Sequence, residues 1–439
     1  MFVMILQLIW PLPGTIALRN MCLIGGAISS LLLIFFFQEK IKSNIPTLLL
    51  LLVPLWLLIH YIFIPVDLKQ QWYDLSGTWL RVVLGIFTAF SLGKILVQES
   101  QWVKWIYLPY IILALITLFL FFYAAFNESN WVVLNFVGVF KTKIYVAYFS
   151  FFTCLTACGL LLLKNDNFIS KSPFVKLSSI YILIIILCFA NCINTQSLIG
   201  FLFCVLISLI TIFIYTFKSI LLKDRHSKLA SFLLILATLG AMTIFYEYDK
   251  NYEGKLFNLK NDVIISLALD KNKTWARSTS VAGMPDPVDV NGRSVNISTY
   301  ERTSWFLKGL QTLIAHPLGS GFSWSAFRYY MLIEYPGTKV AKTHSGWLDF
   351  ALGVGLPGLL LTWSAIFLIL RQAFTQLNTF HHHQSIVVIF FLIGMSFFWL
   401  VAEVSEREFI EHFFFFIALT SSYISHMKLH HELTSFHSQ

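Results

Sequence analysis

The stretch Trp105 to Phe126, WIYLPYIILALITLFLFFYAAF, contains no Asp, Glu, Lys or Arg. Wound as an α-helix it is about 33 Å long, enough to cross the hydrocarbon core of a bilayer. Lipid offers the backbone no hydrogen-bond partners, so a crossing segment has to be helical. Working outward, comparable apolar runs recur at 2–18, 20–37, 45–64, 77–97, 144–163, 177–194, 197–217, 229–247, 346–370, 384–402 and 409–427. The expected fold class is all-α, a polytopic membrane helical bundle of about 12 transmembrane helices with one large loop that itself contains helices.

Composition agrees. The chain is 57% hydrophobic and 12% charged, with 43 Phe and a mean hydropathy of +0.73, whereas a soluble domain carries about 25% charge. All six cysteines lie inside apolar runs, which favours packing over disulfides or thiol chemistry. The N-terminal run is broken by Pro11 and Pro13 and no small-residue cleavage site follows it, so it reads as a first span rather than a cleavable signal.

The organisation predicted is an N-terminal bundle over 1–247, a polar loop over 248–345, C-terminal transmembrane helices over 346–427 and a short tail over 428–439. Lys40, Lys42, Lys94, Lys104, Lys164, Lys171, Lys176, Lys218, Lys223, Arg225, Lys228, Arg371 and Lys428 all fall on one side if the N-terminus is cytoplasmic. The positive-inside rule then puts the long loop outside and both termini inside. The formal charge of +9 partly reflects this inner-surface bias and points to a membrane surface, with no nucleic acid as partner. Within the loop, Leu256–Leu269 has room for a short helix and Gly283–Gly292 is irregular. Ser298 followed by Glu301 has capping-box spacing, and Trp305, Leu310, Leu313 and Ile314 continue at helical spacing, which predicts an amphipathic helix over 299–315.

Few residues are candidates for chemistry. His344 stands immediately before a span and titrates near neutral pH, as a general base requires; read alone, it is more readily an interfacial histidine bonded to its own turn. Arg302 lies one turn before Trp305 with no carboxylate three or four residues away, and its fork suits phosphate; read alone, it is more readily a solvated helix residue. Arg81 is costly inside a span unless it snorkels outward or lines a polar cavity. With Lys141 and Lys143 it makes a cationic rim able to hold pyrophosphate, or an anchor for lipid head groups. Glu403, Glu406, Arg407, Glu408, Glu411 and His412 cluster around the last outside loop, as solvated loop charges or as a proton or cation path. His381–His383 lacks an accompanying carboxylate or cysteine, so no metal is expected there.

The order of these elements carries a resemblance. Arg302-Thr303-Ser304-Trp305 is followed by His316-Pro317-Leu318-Gly319-Ser320-Gly321, then by His344 with Trp347-Leu348, then by Gly353-Val354-Gly355-Leu356-Pro357-Gly358. The series resembles the C-terminal half of the O-antigen ligase and polymerase superfamily, closely over about 298–360, and Gly138-Val139-Phe140 looks like the family's turn before a middle span. One departure stands out: the short outside turn that commonly carries an arginine in the family reads Asn194-Thr195-Gln196-Ser197-Leu198-Ile199-Gly200 here, leaving Arg81 or Lys143 to supply the charge.

The resemblance implies an inverting, metal-independent glycosyltransferase of a bacterial inner membrane, with its active site facing the periplasm and no cofactor. The implied donor is a glycan on undecaprenyl pyrophosphate, and the implied acceptor is the lipid A core oligosaccharide. In that picture His344 and Arg302 are catalytic, while Arg81, Lys141, Lys143 and Trp305 bind pyrophosphate or glycan. An O-oligosaccharyltransferase acting on Ser or Thr of pilin or other exported proteins, and an O-antigen polymerase, are the neighbouring alternatives. A transporter is a more distant one, since the spans are poor in internal charge.

Overall fold

The structure, a computed structural model, describes residues 2–36, 44–98, 103–127, 136–163, 174–222, 225–248, 250, 259–288, 292–379 and 384–437. Lys40, Lys42, Lys164, Lys171, Lys223 and the His381–His383 triplet lie outside the described residues. The protein is all-α; among the described residues the only extended pairing is an isolated bridge between Val288 and Ser294.

The bundle comprises α2 (Ile16–Phe36), α3 (Ile45–Phe63), α4 (Leu68–Asp74) running through a π-turn (Leu75–Trp79) into α5 (Leu80–Gln98), α6 (Val103–Asn127), α7 (Lys143–Leu163), α8 (Phe174–Asn194), α9 (Leu198–Leu222), α10 (Arg225–Tyr248), α14 (Gly346–Thr379), α15 (Ser385–Val401) and α16 (Arg407–His437). Preceding them is α1 (Phe2–Ile9), and the long loop holds α11 (Leu259–Ser266), α12 (Ile297–Ala315) and α13 (Ala326–Glu334). Six of the described helices are long and apolar enough to cross a membrane, and four shorter apolar ones accompany them. This is a multi-pass membrane protein.

The expected first span needs correction. The run 2–18 is not one helix: α1 ends at Ile9, the prolines hold the chain in turns, and α2 starts afresh at Ile16. An eight-residue helix is only about 12 Å long. Leu6 and Trp10 pack inside the bundle instead. Every other expected span coincides with a helix.

The core is built around α7, whose span is almost wholly enclosed by protein; α8, α9 and α15 pack on it, while α16 lies along α5 and α14 along α3. Lipid gives helices no hydrophobic reason to associate, so close approach through small residues substitutes for it. A Cβ on Gly93 of α5 would come within 2.6 Å of Ser422 on α16. Phe35, Phe63, Phe119, Phe126 and Phe213 point away from the bundle, as bilayer-facing residues do.

α14 is broken one-third of the way along, and the break positions the loop. Gly355 has φ 72° and ψ 174°, a conformation open essentially to glycine alone. The polar groups released there are re-paired by the turn 317–321: Ser320 N–H donates to Leu352 O (2.9 Å), Gly321 N–H to Gly353 O (2.9 Å), and Leu356 N–H to Pro317 O (2.8 Å). The Trp56 indole takes Val354 O at 2.7 Å. Broken helix survives at membrane depth only when its groups find such partners.

Two elements brace that turn from behind. The His60 ring nitrogen Nε2 lies 3.3 Å from Gly319 O, and Gln71 Nε2 donates to Ser320 O at 3.1 Å. Buried Asp74, at the entrance to the π-turn, accepts from both the N–H and the hydroxyl of Ser323 at 2.7 Å. The Pro-Leu-Gly-Ser-Gly turn is therefore a splice joining loop, α14 and the α3–α4 region.

Candidate functional site

His344 occupies the second position before α14, in a turn fixed from both sides. Asp349, inside the helix, accepts from Thr343 N–H (2.8 Å) and from the Ser405 hydroxyl (2.9 Å). Gly346 N–H donates to Ala402 O at 2.8 Å. Gly346 admits no side chain, since a Cβ would come within 2.5 Å of Val404. These bonds draw the α15–α16 connection across the turn. They hold His344 at φ 61°, a left-handed conformation that costs a non-glycine residue about 1–2 kcal/mol. Strain of this kind collects where a side chain has to point in one direction.

The imidazole stacks on Trp305 of α12, ring centroids 5.2 Å apart and planes within 15°. Trp305 is itself fixed: it is buried, and its indole N–H donates to Trp275 O at 2.7 Å. α12 approaches so closely because Gly309 faces the turn; a Cβ there would come within 2.6 Å of Thr343 and 2.8 Å of Leu348. The helix begins at Ile297, capped by Asn296, which accepts from Thr299 N–H at 3.2 Å. Ser298 is not the cap that the capping-box spacing suggested. Glu301 instead makes a two-pronged pair with Arg277, whose guanidinium lies over the Trp305 ring at 5.5 Å.

On its other side, His344 Nδ1 lies 3.1 Å from Glu403 Oε2. Lys342 joins Glu403 (2.7 Å) to Glu406 (3.1 Å). Glu406 also meets Lys141 at 3.3 Å and accepts from the Tyr145 hydroxyl at 2.9 Å. The result is a chain of alternating charge running Glu403, Lys342, Glu406, Lys141, with the His344 ring at its head.

Burial lowers the His344 pKa to about 4; Glu403 opposes this, while Arg302, Lys342 and Arg277 reinforce it. The ring is therefore neutral at pH 7. With Nδ1–H directed at the carboxylate, the Nε2 lone pair is left to accept a proton. Burial also works against charge on Lys342, yet Glu403 and Glu406 outweigh it and hold the amine above its ordinary pKa. Glu406 is likewise opposed by burial but held below the usual carboxylate range by Lys342 and Lys141.

The six residues singled out from sequence are distributed as follows. His344 and Trp305 are in contact, and Arg302 is an exposed guanidinium close enough to act on the imidazole, with no ion pair among the described residues. Lys141 reaches the assembly through Glu406. Lys143 Nζ lies 3.2 Å from Gln196 Oε1, so a cation stands against the turn at 194–200. Gln196 has φ 55°, and with His344, Arg277 and Ser325 it is one of four non-glycine residues at positive φ among the described residues.

Arg81, expected either to snorkel outward or to line a polar cavity, stands inside the bundle. It is buried, and its Nε donates to Glu411 Oε1 at 2.6 Å; Arg19 Nη1 stands 3.7 Å from the same carboxylate. The last acidic cluster thus splits into two groups. Glu403 and Glu406 join the His344 turn, while Glu411 and His412 are fully buried rather than loop-solvated. Lys342, Arg277 and the role of Glu403 escaped sequence reading, because nothing local marks pairs separated by tens of residues.

Residues 183–363 match the family described as O-antigen ligase. The matched range contains Arg302, Trp305, His344 and the Gly353–Gly358 break. No curated protein matches the chain.

Proposed function

The chain belongs to the O-antigen ligase superfamily, and from that premise we propose that it is a membrane glycosyltransferase that moves a glycan from undecaprenyl pyrophosphate to the lipid A core on the periplasmic face of the inner membrane, without a metal ion and with inversion. The observation that carries the reading is the neutral imidazole held between Trp305 and Glu403, within the field of the Arg302 guanidinium, which has no ion pair among the described residues.

The acceptor hydroxyl lies against His344 Nε2. As its oxygen bonds to the anomeric carbon, its proton passes to Nε2, and the bond from that carbon to the phosphate oxygen breaks on the opposite face. The electron pair leaves with undecaprenyl pyrophosphate. Glu403 supports the imidazolium while it exists, and the proton is then lost to solvent. Arg302 offsets the charge that grows on the leaving group, the largest contribution a fixed cation makes to such a reaction. Lys143, beside Gln196, is the second phosphate cation in this reading, and Lys141 lines the rim. Arg81 has no part in it, because its charge is matched by Glu411.

The test is transfer from a purified lipid-linked glycan to rough lipopolysaccharide in proteoliposomes. Arg302→Ala is expected to lower turnover about a hundredfold or more while the protein still inserts and elutes normally. Unchanged turnover removes Arg302 from the site. Glycan appearing on a pilin-like peptide and not on lipopolysaccharide would assign the protein acceptor instead.

A further inference from the structure

Arg407 opens α16, and its guanidinium lies between two aromatic rings, with Cζ 4.4 Å from the Tyr73 centroid and 4.7 Å from that of Trp324. Neither sequence neighbour neutralises it: Glu406 is taken by Lys342 and Lys141, and Glu408 by Arg19 at 3.4 Å. The Tyr73 hydroxyl is a hydrogen-bonding neighbour of this guanidinium, while its Nε and Nη2, shielded from solvent, meet no acceptor among the described residues. Those two nitrogens form the side-on edge of a guanidinium, the edge that grips a tetrahedral or carboxylate anion through two parallel bonds. Ring stacking satisfies only the faces of the cation. Nε and Nη2 stay without an acceptor among the described residues, and that costs stability unless one arrives.

The surroundings indicate which acceptor. Tyr73 is 55% exposed, Trp72 57% and Trp324 39%, and exposed Trp and Tyr rings concentrate where a bilayer meets water. Beside them α3 ends on exposed Phe63, and exposed Leu68 opens α4. A free anion gains nothing from such a rim; an amphiphile does. We propose that the fork of Arg407 seats the phosphate of a membrane lipid, gripped by Nε and Nη2 once the exposed Tyr73 side chain gives up its hydroxyl contact and swings aside, with the lipid's tail lying on Phe63 and Leu68. The seat adjoins the catalytic turn, since Glu406 reaches Lys342 and Trp324 follows the Ser323 that Asp74 holds. It concerns binding alone and survives failure of the transferase reading, sharing with it only the assignment of this rim to the membrane–water interface.

The test uses the full chain, purified in an uncharged detergent and stripped of lipid. It is titrated with short-chain phosphatidylglycerol and separately with inorganic phosphate, and binding is read by native mass spectrometry. Saturable one-to-one binding of the lipid is expected, weakened at least about tenfold in Arg407→Gln, as loss of a charge-assisted bidentate contact demands. Arg407→Lys keeps charge and ring stacking but lacks the fork; it should bind several-fold more weakly than wild type, and it carries the comparison if the glutamine variant aggregates. Equal lipid affinity in wild type and variants overturns the proposal. So does inorganic phosphate binding as tightly as the lipid, which would make this a free-anion site.

Discussion

At the residue scale, the His344–Glu403 contact makes a pH prediction with a definite sign. A base has to be neutral to accept a proton, and burial takes the His344 pKa down to about 4. The acid limb of kcat/KM is therefore expected below pH 5 rather than near 6.5, measurable in a buffer series with pre-loaded proteoliposomes. Glu403 raises that pKa, so Glu403→Gln should move the limb to still lower pH while reducing kcat about ten- to a hundredfold, with the KM for donor little changed. A limb that stays in place with kcat intact would leave Glu403 a merely structural residue. His344 itself was legible in the sequence because it stands at a loop-to-span boundary within an ordered set of motifs. Glu403 was visible only as one of several charges in a short loop, since its partner lies 59 residues earlier and no periodicity links them.

At the scale of elements, the splice between the 317–321 turn and broken α14 explains why two separated glycine motifs occur together. Added Cβ atoms at Gly319 and Gly355 would come within 2.4 Å of Gly355 N and 2.3 Å of Leu318 O respectively, and both glycines have positive φ. Gly355→Ala should therefore lower the thermal midpoint of the solubilised protein sharply, with strain of about 2–3 kcal/mol. Gly240→Ala, in open space on α10, should be neutral or slightly stabilising. Similar midpoints for the two variants would show that the crossing is slack. The sequence pattern located these turns and a helix over 299–315, observed as Ile297–Ala315, because glycine, proline and apolar spacing are local signals. It misplaced the cap and the first span. Asn296 outcompetes Ser298 for the first-turn donors, and the prolines near residue 12 divide a run whose hydropathy is continuous.

At the scale of the whole molecule, α2, α5 and α16 are pinned by one buried carboxylate. Glu411 faces Arg81 and Arg19, and removing one member of a buried ion pair costs about 3–5 kcal/mol because the remaining charge is stranded. Glu411→Gln is expected to reduce the folded, monodisperse yield strongly, and Arg81→Gln/Glu411→Gln should recover part of it. No recovery would mean that the pairing with Arg81 does not hold the helices together. Membrane insertion made the bundle the most readable feature, since each span must satisfy its own backbone. The pairing of α2, α5 and α16 was hidden, because Arg81 and Glu411 are 330 residues apart, the first looking like an isolated charge and the second like one of a loop cluster.

The long loop is fastened to α14 twice, by the main-chain ladder near Gly355 and by the bonded turn at His344. A segment moored at both points cannot hinge upward like a flap. In the proposed reaction the lipid-borne donor therefore reaches the imidazole sideways between helices, and the width of that lateral opening, more than any lifting motion, governs how bulky a cargo is admitted.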